Sequence, residues 1–232
     1  WACKHTHAQY MIQFLKDWPS IDKCLSLNDL CHDNKILGKV SARGQVELLN
    51  FFKNWLCTSP DDSFNKKLLR QCNIFGLDRD NYKNEEALDI PLQHCMELAA
   101  YHGLLEVCKL LKSWMLDYLL PEQFLEALRS NNNLALRWAT GNGHLHILQF
   151  LKECGLTIRD IRDDDNYAIK HAAENGFLAV FQFLIGWEDK DGSRLTLDDL
   201  RCSNFYVLRL AAGRGHLHIL QCLKDYGLTF SD

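Results

Sequence analysis

The sequence predicts an all-α fold, a solenoid of about six degenerate helix-turn-helix repeats with little or no β-hairpin. Three observations carry that prediction. Gly143 to Cys154 (GHLHILQFLKEC) and Gly215 to Tyr226 (GHLHILQCLKDY) are nearly identical. The same frame fits Gly44 to Trp55, Gly103 to Trp114 and Gly176 to Trp187, and a glycine-less copy occupies His7 to Trp18. Each glycine also follows a further apolar segment of helical character. Such self-similarity marks supersecondary units that bury their apolar faces only against one another.

The segments after the glycines carry apolar residues at helical spacing, as in Leu145, Leu148 and Leu151 with Ile147 between, so each reads as an amphipathic helix. The segments before them are NKILGKVSA, QHCMELAAY, NNLALRWAT, NYAIKHAAE and FYVLRLAAG. Four and three positions before the glycine stand small or slender residues, such as Ala172 with Ala173 and Ala211 with Ala212, which let neighbouring helices approach closely. The glycine itself is the expected left-handed residue that ends the first helix. After the second helix comes Leu-Thr-x-x-Asp-Ile/Leu: Leu156, Thr157, Asp160 and Ile161, then Leu195, Thr196, Asp199 and Leu200, with Leu25, Ser26, Asp29 and Leu30 as a third copy. A Thr or Ser N-cap, an acidic N3 and a flanking apolar pair make a capping box with a hydrophobic staple, so a short third helix is expected there.

Composition bounds the class. The chain has 232 residues, 47% of them apolar, enough for a substantial core. It contains no run of eighteen apolar residues, and Trp1 to His7 lack the basic start and apolar core of a secretory signal, so no membrane association is expected. A net charge of -4 with interspersed signs gives no basic footprint for nucleic acid. The ten cysteines form no CxxC pair and several fall in apolar helical stretches, which fits free thiols in the cytosol or nucleus.

The order of small-residue helix, Gly-His-Leu, apolar helix and Gly resembles the ankyrin repeat, whose signature runs roughly TPLHLAAxxGHLEVVKLLLxxGADVN. Leu208, Ala211, Ala212, Gly215, His216, Leu217, Ile219, Leu220 and Leu223 match it, as do Leu136, Ala139, Gly143, His144, Leu145, Ile147, Leu148 and Leu151. The match covers most of the chain from Asp33 onward. The Thr-Pro of the signature is absent from every copy, and GLTIRD or SRLTLD replaces the GADVN hairpin segment, so a capped helix is expected in place of the hairpin.

The glycines at 44, 103, 143, 176 and 215 are 59, 40, 33 and 39 residues apart, so insertions separate the copies. The organisation expected is one repeat domain over 1–232, with units at about 1–30 (partial), 31–56, 90–128, 129–161, 162–200 and 201–232 and an insertion at 57–89. The absence of Met at the start, and a capping box begun at Thr229 to Asp232, imply a fragment of a larger protein.

Catalytic and metal chemistry finds little footing. Cys31 adjoins His32 and Asp33, and His94 adjoins Cys95, but neighbours on a helix point about 100° apart and do not form a nucleophile and base pair. His144 with His146, and His216 with His218, stand two apart, whereas metal-binding helices space ligands three or four apart. No Gly-rich phosphate loop and no GxSxG is present. No catalytic residue, metal or cofactor is expected. Trp18, Trp55, Trp114 and Trp187, with Cys154 and Tyr226 in the same slot, read as packing between units, with an aromatic ligand ladder as the alternative.

The resemblance implies where a partner binds: at the two residues before each glycine and at those leading into the first helix. On this chain the first set is Ala42 and Arg43, Tyr101 and His102, Gly141 and Asn142, Glu174 and Asn175, Gly213 and Arg214. The lead-in set is His32, Asn34, Gln93, Asn131, Asn133, Asp164, Asn166, Ser203 and Phe205. In addition, Arg137, Lys170 and Arg209 share one slot in three successive first helices. They read either as a basic ladder with rungs about 10 Å apart for an acidic peptide, or as charges neutralised by Asp163, Asp164 and Asp165.

The expected function is that of a monomeric protein-protein interaction module, an adaptor, scaffold or effector, gripping a protein partner through its concave face. The alternatives are a regulatory or substrate-recruiting part of an enzyme and an architectural spacer. The resemblance further implies a class of proteins that intracellular bacteria and large DNA viruses direct at host targets, which would place the chain in host cytoplasm.

Overall fold

The computed structural model describes residues 35–57, 91–117 and 119–228. The glycine-less copy, the capping boxes at Leu25 to Leu30 and Thr229 to Asp232, the residues Cys31 to Asn34 and the insertion beyond residue 57 lie outside these. The described residues are all-helical: α1 (Lys35–Ala42), α2 (Val46–Cys57), α3 (Pro91–Tyr101), α4 (Leu105–Leu116), α5 (Pro121–Gly141), α6 (Leu145–Glu153), α7 (Ile158–Glu174), α8 (Leu178–Ile185), α9 (Leu197–Gly213) and α10 (Leu217–Asp225). They fall into two compact units, Trp1–Ala127 and Leu128–Asp232.

In the first unit α1 packs on α2 and α3, while α4 packs on both α2 and α3. In the second, α7 lies against α8 and α9, α8 also contacts α6 and α10, and α9 packs on α10. Helices that precede a glycine thus lie on one another, and so do helices that follow one. The small pairs explain the approach of the first kind. Ala99 and Ala100, Ala172 and Ala173, and Ala211 are fully buried, whereas Ala212 is exposed. The second kind contributes the larger side chains, Leu111, Ile147, Leu151, Phe181 and Leu184, each worth about 1.5–3 kcal/mol when buried.

Each glycine turn closes with one pair of backbone bonds. Gly176 donates to the Ala173 carbonyl and Phe177 to that of Ala172, and the same pattern recurs at Gly44, Gly103, Gly143 and Gly215. This Schellman arrangement needs a left-handed residue, and Gly176 has φ +71°. A second constraint acts there. A Cβ on Gly176 would stand 2.6 Å from the His216 ring, and one on Gly143 would stand 2.9 Å from Phe177. The residue after one glycine therefore fills the space that the preceding glycine leaves.

The Thr-x-x-Asp boxes form and start helices. Thr157 N and Oγ1 donate to Asp160 Oδ2 at 2.7 and 3.0 Å, and Thr196 does the same to Asp199 at 2.7 and 2.9 Å. The staple residues Leu156, Ile161, Leu195 and Leu200 are buried. α5 carries half of such a box, with Pro121 first in the helix and the Leu120 amide donating to Gln123 Oε1.

The short capped helix and the small-residue helix are one element interrupted by a left-handed turn. Asn131, Asn132 and Asn133 have φ 52–56°, Asp164, Asp165 and Asn166 have φ 51–61°, and Asn204 and Phe205 follow at 59° and 56°. Side chains other than glycine lose about 1–2 kcal/mol per residue in this region, least for Asn and Asp, whose polar groups bond locally. The helix expected from Asn132 therefore restarts at Leu134. Among the described residues the β-structure is one isolated antiparallel bridge, Glu188 with Arg194, just before the Thr196 cap.

Replacing Gly176 with Ala is expected to lower stability by about 1–2 kcal/mol for the backbone alone, and further for the displaced His216. Gly192, at φ +82° with open space about its Cα, supplies the comparison: Gly192→Ala carries the backbone term only. Urea denaturation of the two variants should rank Gly176→Ala clearly below Gly192→Ala.

Candidate functional site

The candidate binding residues lie at both ends of the small-residue helices. At the glycine end Arg43, Tyr101, His102, Asn142, Asn175 and Arg214 are exposed. Tyr101 and His102 meet edge to face with ring centroids 4.9 Å apart. Asn142 Nδ2 donates to the Trp138 carbonyl, which closes the end of its own helix. Asn175 Nδ2 reaches across to the Gly141 carbonyl at 3.0 Å, and Arg214 Nη2 donates to Glu174 Oε1 at 2.8 Å. The polar rim of the second unit is therefore bonded from one frame copy to the next.

At the other end the positions divide. Asn131, at φ 52°, and Asp164 are exposed, and Gln93 and Phe205 are half-buried. Asn133 and Asn166 are buried, in contrast to the surface position expected from the sequence. Asn133 Nδ2 donates to Asp163 Oδ2 at 2.9 Å, and Asn166 Nδ2 points to the Asp199 carbonyl at 3.5 Å. They join neighbouring copies because the left-handed turn directs these side chains inward. Gln93 Nε2 lies 3.4 Å from Glu97 Oε1, a carboxylate that is itself buried.

The cationic slot is occupied from within the molecule at two of its three positions. Arg137 lies 3.4 Å from Asp164 and its guanidinium carbon stands 4.0 Å over the Tyr167 ring. Lys170 is buried, pairs with Asp165 and stands 5.3 Å from the Tyr206 ring. Arg209 is exposed and has no such partner among the described residues.

Sequence reasoning missed the arginines that tie the capping boxes together. Arg129 Nε and Nη2 donate to the two oxygens of Asp160 at 2.7 and 3.0 Å, and Arg162 repeats this on Asp199 at 2.9 Å each. A planar guanidinium matches a carboxylate in this two-point fashion. Burial alone would raise the Asp199 carboxyl, but the bonds from Arg162 and Thr196 outweigh it and hold the group below the usual carboxylate range. The signal was present in the chain: Arg129, Arg162 and Arg201 share one slot, four residues before the end of the left-handed turn. The recurring Tyr167 and Tyr206 were equally visible.

The paired histidines serve the turns. His216 and His218 rings are 5.7 Å apart, and their Nε2 atoms donate to the carbonyls of Glu174 and Gly176 at 2.8 and 2.9 Å. A carbonyl only accepts, so each Nε2 carries the proton. In the slot that ends the second helices, the described tryptophans pack inward. Trp114 and Trp187 are buried, and Lys152 stands 4.9 Å over the Trp187 ring. Asp189 accepts from Trp187 Nε1 and from the Ile158 amide, adding a second carboxylate at the start of α7. Burial raises the Cys95 thiol to about 12, so it stays protonated. Among the described residues no group of three or more His, Cys, Asp or Glu is placed to hold a metal ion, and no helix is long and apolar enough to cross a membrane.

Against known proteins the chain matches no family model and no curated sequence.

Two outcomes are expected. Asp160→Ala removes a helix cap and leaves Arg129 without its carboxylate, lowering stability by about 2–4 kcal/mol. Asp199→Ala, where the pair is more exposed, lowers it by about 1–2 kcal/mol, and chemical denaturation should resolve the order. His171 stacks on Tyr167 at 3.8 Å and lies 3.3 Å from Glu174, and burial lowers its pKa against the pull of that carboxylate. A depressed histidine favours the folded state above the unfolded pKa and loses that contribution as pH falls. Lowering the pH from 7.5 to 5.5 should thus depress the melting temperature less in His171→Gln than in the unmodified chain.

Proposed function

We propose that the chain is a protein-protein interaction module built as an ankyrin-type solenoid, with its partner held along the exposed ends of the small-residue helices. The observation that carries this reading is the contrast between two sets of positions in one frame. The frame positions around the glycine keep their character from copy to copy: small or slender residues before it, the glycine itself, and apolar residues in the helix after it. The exposed positions beside the glycine change, from Arg43 through Tyr101 with His102, Asn142 and Asn175 to Arg214. A repeated frame that presents differing side chains at one position of each copy supplies heterogeneous chemistry suited to recognition. Tyr and Arg, with large contact area and bidentate donors, are the types that dominate such surfaces.

Arg43, Gln93, Tyr101, His102, Asn131, Asn142, Asp164, Glu174, Asn175, Phe205, Arg209 and Arg214 remain the contact set in this reading, while Asn133, Asn166, Arg137 and Lys170 support it from beneath. The free thiols of Cys95, Cys108, Cys154 and Cys222 accord with a cytoplasmic or nuclear setting.

Two double variants test the reading. Tyr101→Ala with His102→Ala, and Asn142→Ala with Arg214→Ala, are expected to abolish capture of the partner from an extract while the helical circular dichroism stays unchanged. Capture that survives both would refute it.

A further inference from the structure

Asn142 and Asn175 each stand directly before a glycine, and the other asparagines of the chain do not. That pairing is chemically labile. The glycine amide nitrogen, unhindered because its residue has no side chain, can attack the Asn side-chain carbon Cγ once the amide proton has passed to water. The new N–Cγ bond closes a five-membered succinimide, the Cγ–Nδ2 bond breaks, and ammonia leaves with the proton it needs. Water then opens the ring at Cγ to give Asp, or at the backbone carbonyl to give isoaspartate, whose main chain is one methylene longer. The net change is water taken up and ammonia released.

The folded turns hold both sites out of the reactive geometry. Ring closure needs Cγ and the glycine nitrogen eclipsed about the Cα–C bond, whereas Asn175, at ψ -5°, sets the glycine nitrogen against its own backbone nitrogen. The attacking N–H groups are engaged, Gly143 with the Thr140 carbonyl at 3.2 Å and Gly176 with that of Ala173 at 3.4 Å. So are the carboxamides: Asn142 Nδ2 donates to the Trp138 carbonyl at 2.9 Å and Asn175 Nδ2 to the Gly141 carbonyl at 3.0 Å. Both asparagines are nevertheless exposed, so water reaches them. Each turn is also held from the next copy. His216 and His218 donate to the carbonyls of Glu174 and Gly176, one on either side of Asn175, at 2.8 and 2.9 Å. Asn175 in turn holds the Gly141 carbonyl, directly before Asn142.

We propose that Asn142 and Asn175 are latent deamidation sites, intact while the glycine turns are closed and converted when a turn opens, and that the two are linked: His216 and His218 guard Asn175, and Asn175 guards Asn142. Conversion of Asn175 replaces the donor on the Gly141 carbonyl by a carboxylate, which at neutral pH only accepts. It also sets a negative charge at the C-terminal end of α7, beside Glu174 and against the helix dipole. Isoaspartate lengthens the turn by one methylene, which the fixed spacing of the Schellman bonds does not accommodate. A chain that lingers unfolded is thereby marked, and it refolds with neighbouring copies less firmly joined.

Peptide mapping by mass spectrometry of the full chain, kept in mildly alkaline buffer with and without urea, tests this. In urea, Asn142 and Asn175 are expected to convert ahead of every other asparagine. In the folded chain both should slow at least about tenfold, since conversion there waits on local opening. His218→Ala, which removes one guard at an exposed side chain, should speed Asn175 in the folded chain at least about threefold and Asn142 less, with both rates in urea unchanged. Asn175→Asp should likewise speed Asn142 in the folded chain and not in urea. Equal rates with and without urea, or other asparagines converting first in urea, would overturn the proposal. So would His218→Ala raising both sites alike, or either variant leaving the folded rates unchanged. The comparison within the unmodified chain decides the latent character of the sites even where a variant fails to fold.

Discussion

An arginine from one copy of the frame grips the helix-capping aspartate of the next, and the arrangement of the second unit depends on that contact. Asp160 and Asp199 each close their own capping box and accept a two-point bond from Arg129 or Arg162. One carboxylate thus fixes where a helix begins and how that helix is placed against the helix before it. Asp160 is buried, so its charge would be costly without both the threonine and the arginine. A local signal, the cap, becomes a tertiary constraint because its free oxygen lone pairs point at the preceding copy.

The left-handed turns follow from the same constraint. The capped helix is oriented by its arginine partner, and the small-residue helix is oriented by close contact of alanines. A continuous right-handed helix cannot satisfy both directions, so the chain turns within three residues. Asn and Asp fill all of the described left-handed positions of these turns but Phe205, because their side chains tolerate positive φ. The same side chains then bond across copies, as Asn133 does to Asp163. Strain at this turn is offset by the contacts that the turn permits.

These internal demands decide which polar residues are left for a partner. Arg137 and Lys170 look like a surface ladder in one dimension, yet carboxylates and tyrosines of the same unit engage them, and Lys170 is buried. Of the two sequence readings of that stripe, the contacts at these two positions are those of neutralised charges. Arg209 is exposed, with Asn204 in the slot that Asp165 fills beside Lys170. The rim beside the glycines is more open, although Asn175 and Glu174 with Arg214 already brace it.

Local chemistry made much of this legible in advance. Period and amphipathicity gave the helices, glycine gave the Schellman turns, and Thr-x-x-Asp gave the caps, because each is a short-range rule satisfied within a few residues. The sequence could not give the destination of side chains whose partners lie thirty or more residues away. Whether Asn133 faces solvent or Asp163, whether Arg129 meets water or Asp160, and whether the Gly176 seat holds a ring depend on how one helix pair is set on another. That setting is a property of packing, where a buried charge or ring is stabilised only by groups brought to it in three dimensions.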